Sequence, residues 1–270
     1  MAKFVIFVKR LETAMNNLAF PLNLILLVLW AVSVVMLWRS SRESRLVRFM
    51  LSPVATYLSI GLFLIIVLVV GMTGRRELTG SWPFAVFILF FQTVLAFVIL
   101  RGWRRGNGIR WRFLLLHMGL MLTVGSMFWG APDNLTLRTQ AFKDVPVSEA
   151  YAPDGRTEWL DVPVTLTDFT VSYGDDGQPS DYRAFVRVGD EDVVLRVNHP
   201  YQIRFGEDLY LSGYDTVSQE YCILQIVCEP WRYGALAGII MMLSGALLLF
   251  IGGPEGKAVN RDISPLPESS

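Results

Sequence analysis

The stretch Phe113–Trp129, FLLLHMGLMLTVGSMFW, is the segment on which the predicted fold and functional site of this chain depend. It is long enough to cross a bilayer as a helix, and it contains no Asp, Glu, Lys or Arg. His117 interrupts it and is one of only two histidines in the protein. A side chain that can take up a proton or bind a metal is costly in hydrocarbon, so His117 is a functional-site hypothesis. The alternative is that His117 hydrogen-bonds a neighbouring helix as a packing device.

Other apolar runs of similar length flank this stretch along the chain. The composition is 53% hydrophobic with a mean hydropathy of +0.42, which is high for a soluble domain. The first run starts late and lacks a small-residue cleavage site, which favours a retained helix over a signal peptide. An integral membrane protein with about five transmembrane helices is therefore predicted. The predicted spans are Pro21–Trp38, Val54–Met72, Trp82–Leu100, Phe113–Trp129 and Tyr233–Ile251.

The positive charges predict the orientation in the membrane. Net charge is zero, which gives no indication of nucleic-acid binding. Arginines cluster after the first and third spans, and the positive-inside rule makes both of these links cytoplasmic. The segment between the fourth and fifth spans then lies outside, and the carboxy-terminal tail lies inside. The arginines are Arg39, Arg42, Arg45, Arg48, Arg101, Arg104, Arg105, Arg110 and Arg112.

Between the fourth and fifth spans the sequence changes to short alternating segments rich in β-branched and aromatic residues, separated by turn signals. Six or seven short strands in about 100 residues predict a small extracytoplasmic all-β domain, either a sandwich or a barrel. The predicted strands are Val162–Tyr173, Tyr182–Val188, Asp192–Val197, Tyr201–Arg204, Asp208–Tyr214 and Tyr221–Cys228.

The chain is thus predicted to have four parts. Residues 1–130 form a membrane region with four transmembrane helices, and residues 131–232 form the extracytoplasmic β-domain. Residues 233–252 form the final transmembrane helix. Residues 253–270 hold Pro, Gly, Ser and mixed charge without periodicity, which predicts a disordered cytoplasmic tail.

The two cysteines, Cys222 and Cys228, fall in one predicted strand. A regular strand separates them by about 20 Å, whereas a disulfide needs Cα atoms within about 7 Å. Two structural thiols are therefore favoured, and their redox role stays open. The sequence contains no CxxC, no phosphate-binding Gly-rich loop and no GxSxG elbow, so nothing in it indicates a self-contained catalytic centre.

The surroundings of His117 are compatible with a haem site. On a helix, Arg110 lies on nearly the same face as His117, about 10 Å toward the cytoplasmic boundary, and Arg112 lies about 7.5 Å away on another face. Imidazole can ligate haem iron, apolar side chains can bury the macrocycle, and guanidinium groups can bind the propionates. The simpler interpretation is that these arginines only follow the topology rule.

His199 lies in Val197-Asn198-His199-Pro200-Tyr201, where Asn and Pro indicate a turn. A loop histidine on a rigid β scaffold is well placed for function, so His199 and Asn198 form a candidate outer-domain site. A simply solvated turn is the alternative.

Four segments resemble, in order, the outer domain of ResB-type (CcsB) cytochrome c biogenesis proteins. They are LTDFTVSY at Leu166–Tyr173, DYRAFVRV at Asp181–Val188, RVNHP at Arg196–Pro200 and GEDLYLSGY at Gly206–Tyr214. Glu229-Pro230 leading into the last helix continues the match, as does LHMGL at Leu116–Leu120. The resemblance covers about Trp111–Ile251.

This resemblance implies a function. ResB-like proteins work with a CcsA/ResC-type membrane partner in System II, which moves haem across the bacterial inner (cytoplasmic) membrane and attaches it to CxxCH thiols of apocytochrome c. A histidine in the helix before the outer domain is implicated in haem binding, and His117 is its counterpart by position. The chain lacks the partner's tryptophan-rich haem motif, which makes it at most one half of a holocytochrome c synthetase. Its outer domain is shorter than is typical of the family, and it has one more predicted span.

Three functions are therefore considered. The first is a subunit of System II cytochrome c maturation that handles haem b and assists its export and attachment to apocytochrome c, with His117 as iron ligand. The second is a non-catalytic membrane scaffold whose β-domain binds envelope partners while His117 only packs. The third, a transporter of another small molecule, is disfavoured because no repeated or broken-helix pair is present.

Overall fold

The computed structural model describes residues 18–40, 44–73, 81–105, 108–175, 178–217 and 220–252. Its contacts divide the chain into two compact units. Of the described residues, those within 28–125 and 234–252 form one unit, the helical unit, and those within 18–27 and 126–233 form the other, the β unit. The predicted disordered tail, residues 253–270, lies outside the described residues, as does Arg42.

Within these described ranges, five helices are long and apolar enough to cross a membrane, with mean hydropathies of 1.5 to 2.6. They coincide with the predicted spans to within a few residues, which confirms a multi-pass membrane protein. A short helix, α2, separates the first two. The helices are α1 (Leu22–Ser40), α2 (Arg45–Met50), α3 (Pro53–Thr73), α4 (Trp82–Gly102), α5 (Trp111–Gly130) and α6 (Arg232–Gly252).

Local sequence explains where several helices begin. The Ser44 hydroxyl accepts a hydrogen bond from the Val47 N–H at 3.2 Å and caps α2, and the Ser52 hydroxyl accepts one from Ala55 N–H at 3.2 Å before α3. Pro53 opens α3, and Pro83 lies in the first turn of α4, where a missing N–H costs nothing. A pair of antiparallel strands of two residues each joins α4 to α5. The strands are β1 (Arg104–Arg105) and β2 (Gly108–Ile109).

The β-domain is a single antiparallel sheet of eight strands among the described residues, in the order β7-β6-β5-β4-β3-β10-β9-β8. The sheet curls, so that β7 contacts β9 although the two lie near opposite edges, and the domain is closer to a barrel than to a sandwich. The strands are β3 (Leu135–Phe142), β4 (Pro146–Tyr151), β5 (Thr157–Tyr173), β6 (Pro179–Val188), β7 (Glu191–Arg196), β8 (Tyr201–Arg204), β9 (Glu207–Tyr214) and β10 (Tyr221–Cys228).

One apolar core fills the concave face of this sheet. Leu224 in the central strand β10 is fully buried, and its register neighbours are Thr139 on β3 and Leu211 on β9. Alternate residues of each strand point inward, as the period of two requires. The inward residues with at most 2% exposure include Val164, Leu166, Val186, Leu195, Leu209 and Ile226.

The sequence prediction gave the bounds of β8 and β10, placed β5, β6, β7 and β9 to within five residues at each end, and missed β3 and β4 altogether. Apart from Leu137, the buried inward residues of these missed strands are small or polar, namely Thr139, Ala141 and Ala150. They carry a weak β signal because strand propensity reflects large β-branched or aromatic side chains on a buried face.

Candidate functional site

His117 lies on α5 in the helical unit, half-buried, one turn after Phe113. Its Nδ1 atom is 2.8 Å from the Phe113 carbonyl oxygen, and its ring stacks on the Phe113 ring with centroids 3.9 Å apart. The ring is therefore oriented by two contacts with the residue four positions earlier. These two contacts within α5 fix the orientation of the imidazole ring.

The hydrogen bond also determines the tautomer of a neutral His117. A carbonyl oxygen can only accept, so Nδ1 must carry the proton. The lone pair of the neutral ring is then on Nε2. Metal-ligating histidines commonly donate their other ring N–H to a carbonyl in this way, because the bond fixes tautomer and orientation.

Arg110 and His117 come together through Phe113. The Arg110 guanidinium carbon lies 4.7 Å from the centroid of the Phe113 ring, and Nη1 donates to the Gly102 carbonyl at 3.2 Å. Residues 110, 113 and 117 are spaced so that they share one helix face. The predicted neighbourhood of a cation and an imidazole is present, with an aromatic ring between them.

That face of α5 is the one that packs against α4. Leu114, Leu120, Met121 and Val124 contact a buried row on α4 formed by Phe91, Leu95 and Ile99. These α5 residues precede or follow His117 by three, four or seven positions, so His117 projects from the middle of the same face.

The opposite face of α5 packs against α6 at very short range. A Cβ on Gly119 would lie 2.6 Å from the Gly238 carbonyl oxygen, and a Cβ on Gly238 would lie 2.4 Å from Thr123 Oγ1. Small residues allow this approach, as in many membrane helix pairs. His117 therefore lies away from the tight α5–α6 contact.

Arg112 has a different environment from Arg110. Its Nη1 donates to the Gly252 carbonyl at 3.0 Å, at the carboxy-terminal end of α6. A cation at this position interacts favourably with the helix dipole. The structure thus gives Arg112 a helix-capping contact, and it does not bring Arg112 to the Arg110–Phe113–His117 face.

Asn198 and His199 lie in the β unit, in the turn between β7 and β8, and both side chains are exposed. Asn198 has φ of +60°, a left-handed conformation that Asn tolerates better than most residues. The His199 N–H donates to the Arg196 carbonyl at 3.1 Å. Turn geometry thus accounts for Asn198, while the candidate site at these two residues remains a prediction.

Cys222 and Cys228 are both free and both lie on β10. Burial raises the pKa of the Cys222 thiol to about 12, and burial together with the Glu207 carboxylate raises the pKa of the Cys228 thiol. Both thiols are therefore protonated at neutral pH. They have the character of structural rather than nucleophilic cysteines.

Sequence reasoning missed a polar junction at Asp133, which ends the short 3-10 turn Ala131–Asp133 after α5. Its carboxylate accepts hydrogen bonds from the Phe20 N–H at 2.7 Å, Asn23 Nδ2 at 2.7 Å and Trp231 Nε1 at 2.6 Å. Asn23 is 2% exposed and also donates to the Trp129 carbonyl at 2.9 Å. The junction joins the starts of α1 and α6 to the end of α5. Asn23 inside an apolar span was the available signal.

No group of three or more His, Cys, Asp or Glu side chains that could hold a metal ion occurs among the residues that the structure describes. A single imidazole such as His117 cannot hold a bare ion in a conventional protein site, which needs about four ligands. It can serve a metal that arrives with its own equatorial ligands, as haem iron does.

Comparison with known proteins gives two further findings. No curated protein matches the chain in sequence at a significant level. Among solved structures, one similar protein is "Cytochrome c Heme Lyase CcmF", with a TM-score of 0.42 and 15% sequence identity. The match covers 86% of this chain and 39% of that protein, so the chain spans well under half of its length.

A family model also matches the chain. Residues 64–230 match the ResB-like family. This range includes His117, α5 and all the strands of the large sheet, and it confirms the resemblance seen in the sequence. It covers more than half of the chain. The chain therefore belongs to the ResB-like family.

Proposed function

We propose that the chain is a haem-handling membrane subunit of System II cytochrome c maturation and that His117 would be a ligand of haem iron. The observation that carries this proposal is the hydrogen bond from Nδ1 of His117 to the Phe113 carbonyl, 2.8 Å long. It leaves the lone pair on Nε2 and fixes the ring, which are the two requirements for ligation.

The residues around His117 suit haem b. The apolar side chains Leu114, Leu120 and Met121 lie on the same face of α5, where they also contact α4, and Phe113 adds an aromatic surface. An apolar environment of this kind suits a macrocycle, whose porphyrin nitrogens would supply the ligands that the protein lacks. Bound there, haem would bring the reactive vinyl groups that become joined to the cysteines of apocytochrome c.

Arg110 is our first choice for a propionate contact. Its guanidinium lies on the Phe113 ring, the ring on which His117 stacks, and guanidinium binds carboxylates through paired N–H donors. Arg112 is second, because its bond to the Gly252 carbonyl places it at the end of α6. The function assigned to both residues is to hold negative charge near the cytoplasmic boundary.

We infer that the subunit works with a CcsA/ResC-like membrane protein and acts on apocytochrome c. The arginine-rich links Arg45–Arg48 and Arg101–Arg112 support an orientation in the bacterial inner membrane with the β-domain, residues 131–232, on the outer side. The chain would then be one half of a holocytochrome c synthetase, with haem export and attachment shared between the two proteins.

The experiment compares the two histidines of the protein. Purified together with its CcsA-like partner, the wild type and His199→Ala should show equal haem absorbance, and His117→Ala should lose most of it. His199, whose side chain is exposed in a turn of the β unit, is the comparison, and a loss of haem in His199→Ala as well would assign haem binding to the candidate outer-domain site too. Thermal unfolding of all three proteins checks that the variants remain folded.

A second variant separates ligation from packing. His117→Gly removes the ring, and added imidazole should restore the haem spectrum if the ring's task is to ligate iron. Equal haem in wild type and His117→Ala would exclude the ligand role. Loss of haem without rescue, in a protein of unchanged stability, would also contradict it.

The scaffold function has one observation in its favour. The bond to Phe113 and the stacking on its ring satisfy His117 by packing within a single helix, without any ligand. If the chain is a scaffold, His117→Ala should still retain its partner proteins in a pull-down. The wild-type protein should then contain no more haem than the His117→Ala variant.

A further inference from the structure

Phe205 is an exposed aromatic residue in the turn between β8 and β9. Its side chain is 70% exposed, although Phe is among the residue types most often buried. A single exposed apolar residue needs no explanation by itself. The position of Phe205 in the β unit and its contacts are what make it informative.

The turn lies at the end of the sheet where the strands join the helices. Leu135, the first residue of β3, pairs with Cys228, the last residue of β10, and Cys228 also pairs with Glu207, the first residue of β9. The turn that contains Phe205 immediately precedes Glu207. It therefore lies at this helix-side end of the sheet, beside Cys228, which precedes the start of α6 by four residues.

The turn is attached to the first residues of α6. The Phe205 ring stacks on the Tyr233 ring with centroids 4.5 Å apart, and Gln202 Nε2 donates to the Tyr233 hydroxyl at 2.6 Å. The Glu229 N–H donates to the Gly206 carbonyl at 2.6 Å. Gly206 has φ of +77°, and a Cβ there would lie 2.6 Å from Pro230 Cα. Only glycine satisfies both conditions.

Tyr233 is the first residue of an apolar stripe along α6. Its members follow at intervals of three and four residues, so they share one helix face, and those after Tyr233 are all more than half exposed. In a helix that crosses a membrane, an exposed apolar stripe contacts lipid. The members after Tyr233 are Leu236, Ile240, Leu243, Leu247 and Phe250.

Charged side chains surround the turn as well. Arg204 pairs with Asp161 and Glu207, and Arg232 makes a two-point contact with Asp208, one bond of which is 3.0 Å long. Aromatic rings beside arginines are typical of the boundary between hydrocarbon and headgroups, where a ring enters the apolar layer and cations meet phosphates.

We propose that the β8–β9 turn is a membrane anchor, with the Phe205 side chain inserted at the boundary between headgroups and acyl chains. The occupant of this surface is lipid, because Phe205 stacks on the residue that begins the exposed stripe of a transmembrane helix. The anchor adds to the attachment that the covalent links to α5 and α6 provide. It is independent of the haem proposal.

Val217 provides a matched control. It is 92% exposed in the loop between β9 and β10, and consecutive hairpins of an antiparallel sheet alternate between its two ends. Val217 thus lies at the end of the sheet opposite to Phe205. Both positions are exposed, apolar and in a turn, and they differ in distance from the start of α6.

The test uses nitroxide labels on the full chain in vesicles of phosphatidylethanolamine and phosphatidylglycerol. Phe205→Cys and Val217→Cys are made in a background of Cys222→Ala and Cys228→Ser. Collision with apolar oxygen is compared with collision with a water-soluble nickel chelate. At position 205 the ratio of oxygen to nickel accessibility should be several-fold higher than at position 217.

Two outcomes would overturn the proposal. Equal ratios at the two positions would mean that Phe205 is in water. Protection of the position-205 label from both reagents would mean that protein covers the turn. A label at Leu243, in the exposed stripe of α6, gives the lipid reference value, and thermal unfolding confirms that each labelled protein is folded.

Discussion

In the β-domain, Leu, Ile and Val side chains from strands throughout the sheet are buried together in one core, whereas only 11% of the residues in the spanning windows of α1, α3 and α6 are buried. The two regions are held by different forces because they face different solvents. Water drives the apolar side chains of the sheet inward. Lipid is as apolar as leucine, so the helices associate through close approach of small residues.

The α5–α6 contact gives the largest expected effect. We expect Gly238→Leu to prevent formation of a folded protein, because a Cβ there would lie 2.6 Å from the Gly119 carbonyl and 2.7 Å from the Thr123 N, both backbone atoms that cannot rotate away. Overpacking costs about 1–3 kcal/mol even in cores that can adjust. The measurement is the yield of monodisperse protein in detergent.

Gly61→Leu on α3 is the control, since nothing lies within 4 Å of a Cβ at Gly61. It should give wild-type yield. If Gly238→Leu also gave wild-type yield, close packing of small residues would not be what holds α5 and α6 together.

Removing side-chain volume from the core of the sheet should lower the stability of the β-domain. Leu224→Ala should lower the free energy of unfolding of the β-domain by about 2–5 kcal/mol, because it removes a fully buried side chain from the central strand and leaves a cavity. Urea unfolding followed by far-ultraviolet circular dichroism measures it. Leu243→Ala on the exposed stripe of α6 should change stability much less.

The smallest effect concerns the thiols of the core. At neutral pH, Cys222 should react with iodoacetamide much more slowly than an unfolded thiol, because burial raises its pKa to about 12. A raised pKa means that folding favours the protonated form. The stability that this contributes is present below about pH 9 and is lost as the pH rises toward about 12.

The rate of iodoacetamide labelling at each cysteine, measured by mass spectrometry at a series of pH values, checks the slow reaction of Cys222. Cys228 is half-buried and should be modified before Cys222. Equal rates for the two thiols in the folded protein would show that the core around Cys222 opens as readily as its edge.

Much of the fold could be predicted from local pattern. The spans follow from the length of apolar runs, and β8 and β10 follow from alternating β-branched and aromatic residues between turns. The strands β3 and β4 could not be recognised, because Thr139, Ala141 and Ala150 face the core without the large side chains that mark a strand. The strand β3 is held by pairing with β10, which begins more than 80 residues after β3 begins, and β4 is held by pairing with β5, the next strand along the chain.

The position of His117 in a membrane helix and on the face of Arg110 was determined by the sequence, because both follow from apolar length and a seven-residue spacing. Only the tertiary structure decided what meets that face. It brings the row Phe91, Leu95 and Ile99 of α4 to this side of α5. Likewise, the partners of Asp133 come from distant parts of the chain. A local pattern records which side chains share a face, and long-range packing decides what that face touches.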